Sequence, residues 1–327
     1  MNYLNSHIGG FFEIEKLSPT PDYYHHDARF IACARASLRI ILEFLKVKHI
    51  WVPFYICDSV LASIKDCQIG MSFYQINKDF TINSIPELGE NEYLLVVNYF
   101  GIQGKYIDRL KKVIGNQLII DNTQAFFRRN EGEGFFSFNS CRKFFGVPDG
   151  SWLYGPEIDF PELSINMRHS TLHLELRSIG RQREAFELYQ DSEKKFTTEP
   201  LQGSLLSFIM LGQLDYMNII NKRIDNFRRY SDALGSINQI NPTIEEGDVP
   251  FFYPFMPKKT IDKFKLVDNF IYIPTFWPEV LLREVNGFEF ERKIAADLLP
   301  LPIDHRYDKK EIDLVISEIF KQLGLDE

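Results

Sequence analysis

"NQLIIDNTQAFF", residues 116–127, is a short apolar run that stops on an acid. Leu118, Ile119 and Ile120 are apolar at consecutive positions, the pattern of a strand covered on both faces. Asp121 stands at the carboxyl end of that strand, and Gln124 follows three residues later. Ligands of open α/β sheets bind beyond the carboxyl ends of strands, so the place of Asp121 matters more than its type. An Asp-Asn pair after a strand is also ordinary turn chemistry, and taken alone that is its reading.

Outward from this strand the chain alternates helix and strand. "ARASLRIILEFLKVK" sets Leu38, Ile41, Leu42 and Leu45 on one helical face, and "HIWV" is a strand that ends at Pro53. "DSVLASIKDC" reads as a helix and "GMSFYQI" as a strand. "NEYLLVVNYFG" is a continuous apolar strand that delivers Asn98 to its end, and "YIDRLKKVIG" is a helix stopped by Gly115. "GFFSF" and "GSWLYG" are further strands. Such strands, separated by helical periods, imply an α/β fold with a large, mostly parallel sheet of seven-stranded type.

Residues 160–200 are polar and helical. "SLLSFIMLGQLDYMNIINKRIDNFRRYSDAL" then reads as one long helix leaving the large domain. "VPFFYPFM" and "NFIYIP" are strands, and "KKEIDLVISEIFKQL" is an amphipathic helix. The expected division is a large domain over residues 1–200, with the connecting helix and a small α/β domain over 201–327.

Composition narrows the function. A 327-residue chain that is 45% apolar and 25% charged is in the ordinary globular range. A net charge of −8 argues against a nucleic-acid partner, although the basic pairs Arg128-Arg129 and Arg142-Lys143 leave room for a local phosphate site. Cys33, Cys57, Cys67 and Cys141 have no metal-ligand spacing, so free thiols and no metal are expected. Cys141 lies beside two cations, yet a buried inert thiol is the expectation. "MNYLNSHIGGFFEIEK" has no signal pattern and no apolar run reaches 18 residues, so the expected location is the cytoplasm, away from any membrane.

A second stretch carries reactive chemistry. "NSCRKFFGVPDG", residues 139–150, sets Arg142 and Lys143 between small polar residues and aromatics. A desolvated lysine next to another cation can form a Schiff base, whereas a lysine in a loop is ordinarily solvated charge. "ACARASLRII" opens a helix whose amino end suits phosphate, although it holds no glycine.

In order along the chain, these segments resemble the fold-type-I pyridoxal-phosphate enzymes. More narrowly they resemble the DegT/DnrJ/EryC1/StrS sugar aminotransferases. The resemblance is carried by "ASLRIILEFL", "WVPFY", "VNYFGIQG", "IIDNTQA", "FSFNSCRKFFGVPDG", "GQLDYMNIINKRIDNFRRYSDAL" and "LLPLPIDHRYDKKEIDLVISEI". "IGGFFE" and "RKFFGVPDG" suggest a divergent subgroup from bacterial capsule or O-antigen pathways.

The resemblance implies a pyridoxal 5'-phosphate cofactor, an amino-acid donor, a keto-sugar acceptor that is nucleotide-linked, and a homodimer. Asp121 would pair with the pyridinium nitrogen and Gln124 would face the ring substituents. Ala34, Arg35 and Ser137 would face the phosphate, and Tyr55 would lie near the stacking position. Lys143 would be the Schiff-base lysine and proton shuttle. The register departs from the family by one residue. Counted five on from Ser137 or seven back from Asp149, the lysine position is 142, which is Arg. Arginine stays protonated and forms no Schiff base.

Two arrangements are therefore open: a bulge turns Lys143 inward, three residues after Ser140, or Arg142 fills the pocket and covalent attachment is lost. The second arrangement implies a non-catalytic member that binds a phosphorylated sugar or cofactor. A sugar dehydratase is a third possibility. The first phosphate-loop glycine is Ala34 here, and "EPLQGSLLS" replaces the segment that reaches in from the partner subunit.

Overall fold

All five residues of the strand Leu118–Asn122 are buried. The computed structural model describes residues 8–12, 24–130, 134–156 and 162–325, so the amino-terminal stretch before Ile8, and "IGGFFE" from Glu13 onward, lie outside the described residues. The strands are β1 (Ile8–Gly9), β2 (Arg29–Ile31), β3 (His49–Pro53), β4 (Gly70–Tyr74), β5 (Glu92–Val97), β6 (Leu118–Asn122), β7 (Phe136–Asn139), β8 (Ser151–Tyr154), β9 (Phe252–Phe255), β10 (Ile271–Tyr272) and β11 (Leu299–Pro302). The helices are α1 (Ala34–Phe44), α2 (Asp58–Asp66), α3 (Gly104–Ile114), α4 (Leu172–Ser178), α5 (Gln182–Lys194), α6 (Leu205–Leu211), α7 (Tyr216–Leu234), α8 (Lys263–Asp268), α9 (Glu289–Asp297) and α10 (Lys309–Leu323).

Seven strands form one sheet in the order β2-β8-β7-β6-β5-β3-β4. The β4-β3-β5-β6-β7 pairings are parallel, and β8 is antiparallel to both β7 and β2. This is the mostly parallel α/β sheet expected from the unbroken apolar runs. Register places Asp121 beside Val97 of β5 and Phe138 of β7, in the middle of the sheet. Among the described residues no helix is long and apolar enough to cross a membrane.

One expectation about the second half changes, and two further features go beyond it. The stretch expected as one long helix is two, α6 and α7. The Asp215 side chain accepts a hydrogen bond from the Asn218 amide and starts a new helix, as capping residues do. The polar helical stretch is likewise split into α4 and α5 around Gly180, whose φ of +82° suits glycine. The strand expected in "NFIYIP" does not join β9. It pairs in parallel with β1 of the amino-terminal segment, while β9 pairs antiparallel with β11. At Gly9 an added Cβ would meet the Tyr272 carbonyl oxygen at 2.1 Å, so only glycine allows β1 to approach so closely.

The amino-terminal segment is tied to the carboxyl-terminal half by a buried charge pair. Arg306 and Asp304 face each other at 2.7 Å, with side chains 9% and 6% exposed. Arg306 also donates to the Phe11 carbonyl at 2.9 Å and lies 4.0 Å above the Phe12 ring. Burial works against the Asp304 charge, but Arg306, with Arg223, more than offsets it and holds the carboxyl down at about 2.

The folded value lies below the ordinary 3.8, so the stabilisation is full above that value and is lost as pH falls towards 2. Asp304→Asn should therefore lower stability at neutral pH by about 2 kcal/mol or more and flatten the pH dependence between about pH 4 and pH 2. Urea melts across that range check this. An acid limb identical to that of the unaltered chain would contradict it.

Candidate active site

β6 ends in a tight local turn. The Thr123 amide donates to Asp121 Oδ1 at 2.8 Å, and Asn98 donates its amide to the Asp121 carbonyl at 2.9 Å. Gln124 Oε1 accepts from the Phe100 amide at 2.7 Å, which holds Phe100 in left-handed backbone with φ of +57°. The Phe100 carbonyl in turn accepts from the Phe251 amide at 2.7 Å and links this loop to β9. Asp121 is 3% exposed. Burial pushes its carboxyl above the usual range, and Lys143 and Thr123 work in the opposite direction.

A 3₁₀ turn, Cys141–Lys143, follows β7. Its amide from Cys141 donates to the Gly150 carbonyl at 3.0 Å, and the amides of Phe144 and Phe145 both donate back to the Cys141 carbonyl. The turn sends its two cations to different partners. Lys143 donates Nζ to Thr123 Oγ1 at 2.9 Å, beside Asp121. Arg142 reaches α5, where it pairs with Glu193 at 2.5 Å and lies 4.2 Å above the Phe196 ring. Cys141 sits fully buried under the turn, and burial raises its thiol well above the ordinary value, so it is the inert thiol expected.

Two buried polar centres hold this turn. Asp149 of the Pro-Asp-Gly segment accepts from Ser204 Oγ at 2.6 Å, the Ser204 amide at 2.9 Å, Asn166 Nδ2 at 2.8 Å and the Ser207 hydroxyl. Arg223 of α7 is fully buried, lies 4.6 Å above the Phe144 ring and donates to the carbonyls of Phe144, Pro250 and Phe251. Around them pack Phe126, Phe127, Phe144, Phe145, Trp152 and Phe251. Five of the chain's 29 phenylalanines are therefore core beneath the turn.

Above Asp121 lies a cavity of about 530 Å³. Of the residues expected at the site, Lys143, Asp121, Gln124, Ala34, Arg35, Ser140 and Arg142 line it. Tyr55 and Ser137 do not. Tyr55 is 1% exposed and packs against Tyr99 and Trp277, with centroids at 5.9 and 4.6 Å. Ser137 is fully buried, and strand alternation turns it to the opposite face from Phe138, which does line the cavity.

The remaining walls come from residues with no local signature. Phe11 comes from the amino-terminal segment, His173 from α4, Tyr189 and Glu193 from α5, Lys263 from α8, and Phe276 with Trp277 from the loop after β10. Phe11 and Tyr189 stack at 5.2 Å. Burial, aided by Arg142, lowers His173 to about 4, so its imidazole is neutral at pH 7. Burial works to raise the Glu193 carboxyl, but Arg142, Arg35 and Lys143 outweigh it and keep it below the usual range.

No family model and no curated protein matches the chain. Solved structures do. An aminotransferase, TlmJ, from Streptoalloteichus hindustanus superposes with a TM-score of 0.67 at 16% identity, over 91% of this chain and 86% of that one. A DegT DnrJ EryC1 StrS aminotransferase from Brucella abortus gives 0.61 at 13%, over 90% and 85%. DesI, solved in the presence of its TDP-sugar product, gives 0.62 at 13%, over 91% and 81%. The chain has the fold of these aminotransferases. It is the fold-type-I architecture, and the cavity lies beyond the carboxyl ends of β3, β6 and β7.

The Asp149 centre yields a test of what supports the site. Asp149→Ala strips four donors of their acceptor and should cost about 3 kcal/mol or more. Chemical unfolding measures it, and a loss below about 0.5 kcal/mol, typical of a surface position, would contradict the assignment.

Proposed function

We propose that the chain is a pyridoxal-phosphate-dependent aminotransferase acting on a keto-sugar. The observation that carries this reading is Lys143, whose amine is held by Thr123 beside the buried Asp121 in a cavity of this fold. The residues present fit the cofactor. Asp121 is a buried carboxylate that lacks an ion-pair partner within 4.0 Å among the described residues, and a protonated ring nitrogen is the kind of cation it needs.

Pyridoxal phosphate, when bound, supplies an aldehyde carbon to accept the amino group and a ring to delocalise the electron pair released at the donor carbon. Asp121 keeps a proton at the ring nitrogen. Gln124 holds the loop that closes the ring end. Lys143 would supply the attaching amine and would move a proton at the donor's α-carbon, with Thr123 steering its Nζ. Arg35, Arg142 and the amino end of α1, which begins at Ala34, face the anionic side of the ligand. The aromatic walls at Phe11, Tyr189 and Trp277 exclude water and offer flat surfaces to a sugar or a base.

We further propose that the acceptor is nucleotide-linked, a reading supported by DesI's TDP-sugar product, and that it belongs to bacterial surface-polysaccharide synthesis in the cytoplasm. Residues 1–200 supply the cofactor-binding unit and 201–327 the small domain. We propose a homodimer, supported by Leu205 and Ile209, exposed one turn apart on α6. A second reading rests on a specific observation as well. Arg142 lines the same cavity from the usual lysine register, which favours non-covalent binding of a phosphorylated ligand.

Amino transfer separates these readings. With an amino-acid donor and a keto-sugar, the chain should release a 2-oxo acid, and Lys143→Ala should lower the rate by about 1,000-fold or more. Mass spectrometry of both products checks this. A chain that binds the cofactor and releases no 2-oxo acid would contradict amino transfer and favour dehydration.

A further inference from the structure

The cavity is lined by four cations, Arg35, Arg142, Lys143 and Lys263, and by two acids, Asp121 and Glu193. That excess of positive charge stands in a chain whose net charge is −8, so it is local and built. Glu193 is bound by two of those cations at once. Its Oε1 meets Arg142 Nη2 at 2.5 Å, and its Oε2 lies 3.9 Å from Arg35 Nη2.

Both guanidiniums are held in place by other contacts. Arg35 donates Nη1 to the Phe196 carbonyl at 2.8 Å, and the Phe196 ring lies 4.2 Å beneath Arg142. Arg142 Nε is buried with no hydrogen-bond partner among the described residues. Glu193 stands in the last turn of α5, in a helix whose sole fully buried side chain is Ala185, so the carboxylate comes from a weakly anchored wall rather than from the core.

We propose that Glu193 is an internal substitute for the oxyanion of a phosphate monoester, and that the ligand's phosphate takes the Arg35–Arg142 clamp by displacing it. This rests on the proposed function only for the identity of the ligand. Planar guanidiniums match phosphate oxygens in pairs, and two of them beside Lys143 suit a dianion better than the single charge Glu193 brings. The residue that departs from the lysine register therefore has a task. Arg142 binds the phosphate, and its exchange between Glu193 and ligand couples phosphate entry to the α5 wall. No bond is made or broken in the exchange.

Titration calorimetry of the full chain with inorganic phosphate tests this. Glu193→Gln removes the competing charge and should tighten phosphate binding by about tenfold or more, whereas Arg142→Lys, which keeps charge but loses the fork, should weaken it about tenfold. If Glu193→Gln does not fold by circular dichroism, Glu193→Asp, one methylene short of Arg142, should shift affinity in the same direction. Unchanged affinity in the folded Glu193 variant, phosphate binding insensitive to Arg142→Lys, or no phosphate binding by any of them at millimolar concentration would each overturn the proposal.

Pyridoxal phosphate against pyridoxal, and a sugar phosphate against the bare sugar, identify the phosphate's source. The source is the pair whose phosphorylated member gains from Glu193→Gln. Gain in neither pair also overturns the proposal. Amino transfer with an unaltered Glu193→Gln affinity sinks this inference alone. Tightened phosphate binding without any amino transfer sinks the proposed function alone.

Discussion

Two cations on adjacent residues repel each other, and burial in one cavity makes that repulsion costly unless each has its own counter-charge. The 3₁₀ turn at Cys141–Lys143 eases this by parting them: Arg142 pairs with Glu193, and Lys143 donates to the Thr123 hydroxyl instead. Everything else in the site follows from where that turn stands. It is tied down by the Cys141 amide on the Gly150 carbonyl, next to Asp149, and by Arg223 on the Phe144 carbonyl.

That support is rigid because it is both polar and aromatic. Asp149 has its acceptor positions filled by groups from α6, from its amino-terminal cap and from Asn166. The rings of Phe126 and Phe145 meet edge to face at 4.6 Å. Interlocked rings of this kind resist a change of volume or rotamer, so the turn cannot slide by one residue without disturbing the core. The placing of Arg142 and Lys143 on different sides of the turn is thus a built feature of the core.

The sheet was legible because each central strand is a run of buried apolar residues whose period differs from that of the helices. Asp121, Lys143 and Arg142 were legible because they stand at strand ends or just beyond. Tyr55 and Ser137 do not line the cavity: Ser137 alternates with Phe138 along β7, and Tyr55 lies past the end of β3, packed against Tyr99 and Trp277. Ile56 and Cys57 line the cavity in place of Tyr55, and Phe138 and Ser140 in place of Ser137. Glu193, Tyr189 and Phe11 could not be read locally. They reach the cavity through α5 and through a β1-β10 pairing that joins residues more than 260 positions apart, and a polar helix carries no mark of what it covers. The long helix was overcalled because an apolar run was joined to a charged one across Gly212 and the Asp215 cap.

The central claim is that Lys143, not Arg142, presents the reacting amine. Borohydride reduction of the chain with pyridoxal phosphate, followed by peptide mapping, tests it most directly. The account predicts one adduct, on Lys143, which is lost in Lys143→Ala and retained in Arg142→Ala. An adduct confined to another lysine, Lys263 above all, or no adduct under saturating cofactor, would contradict it.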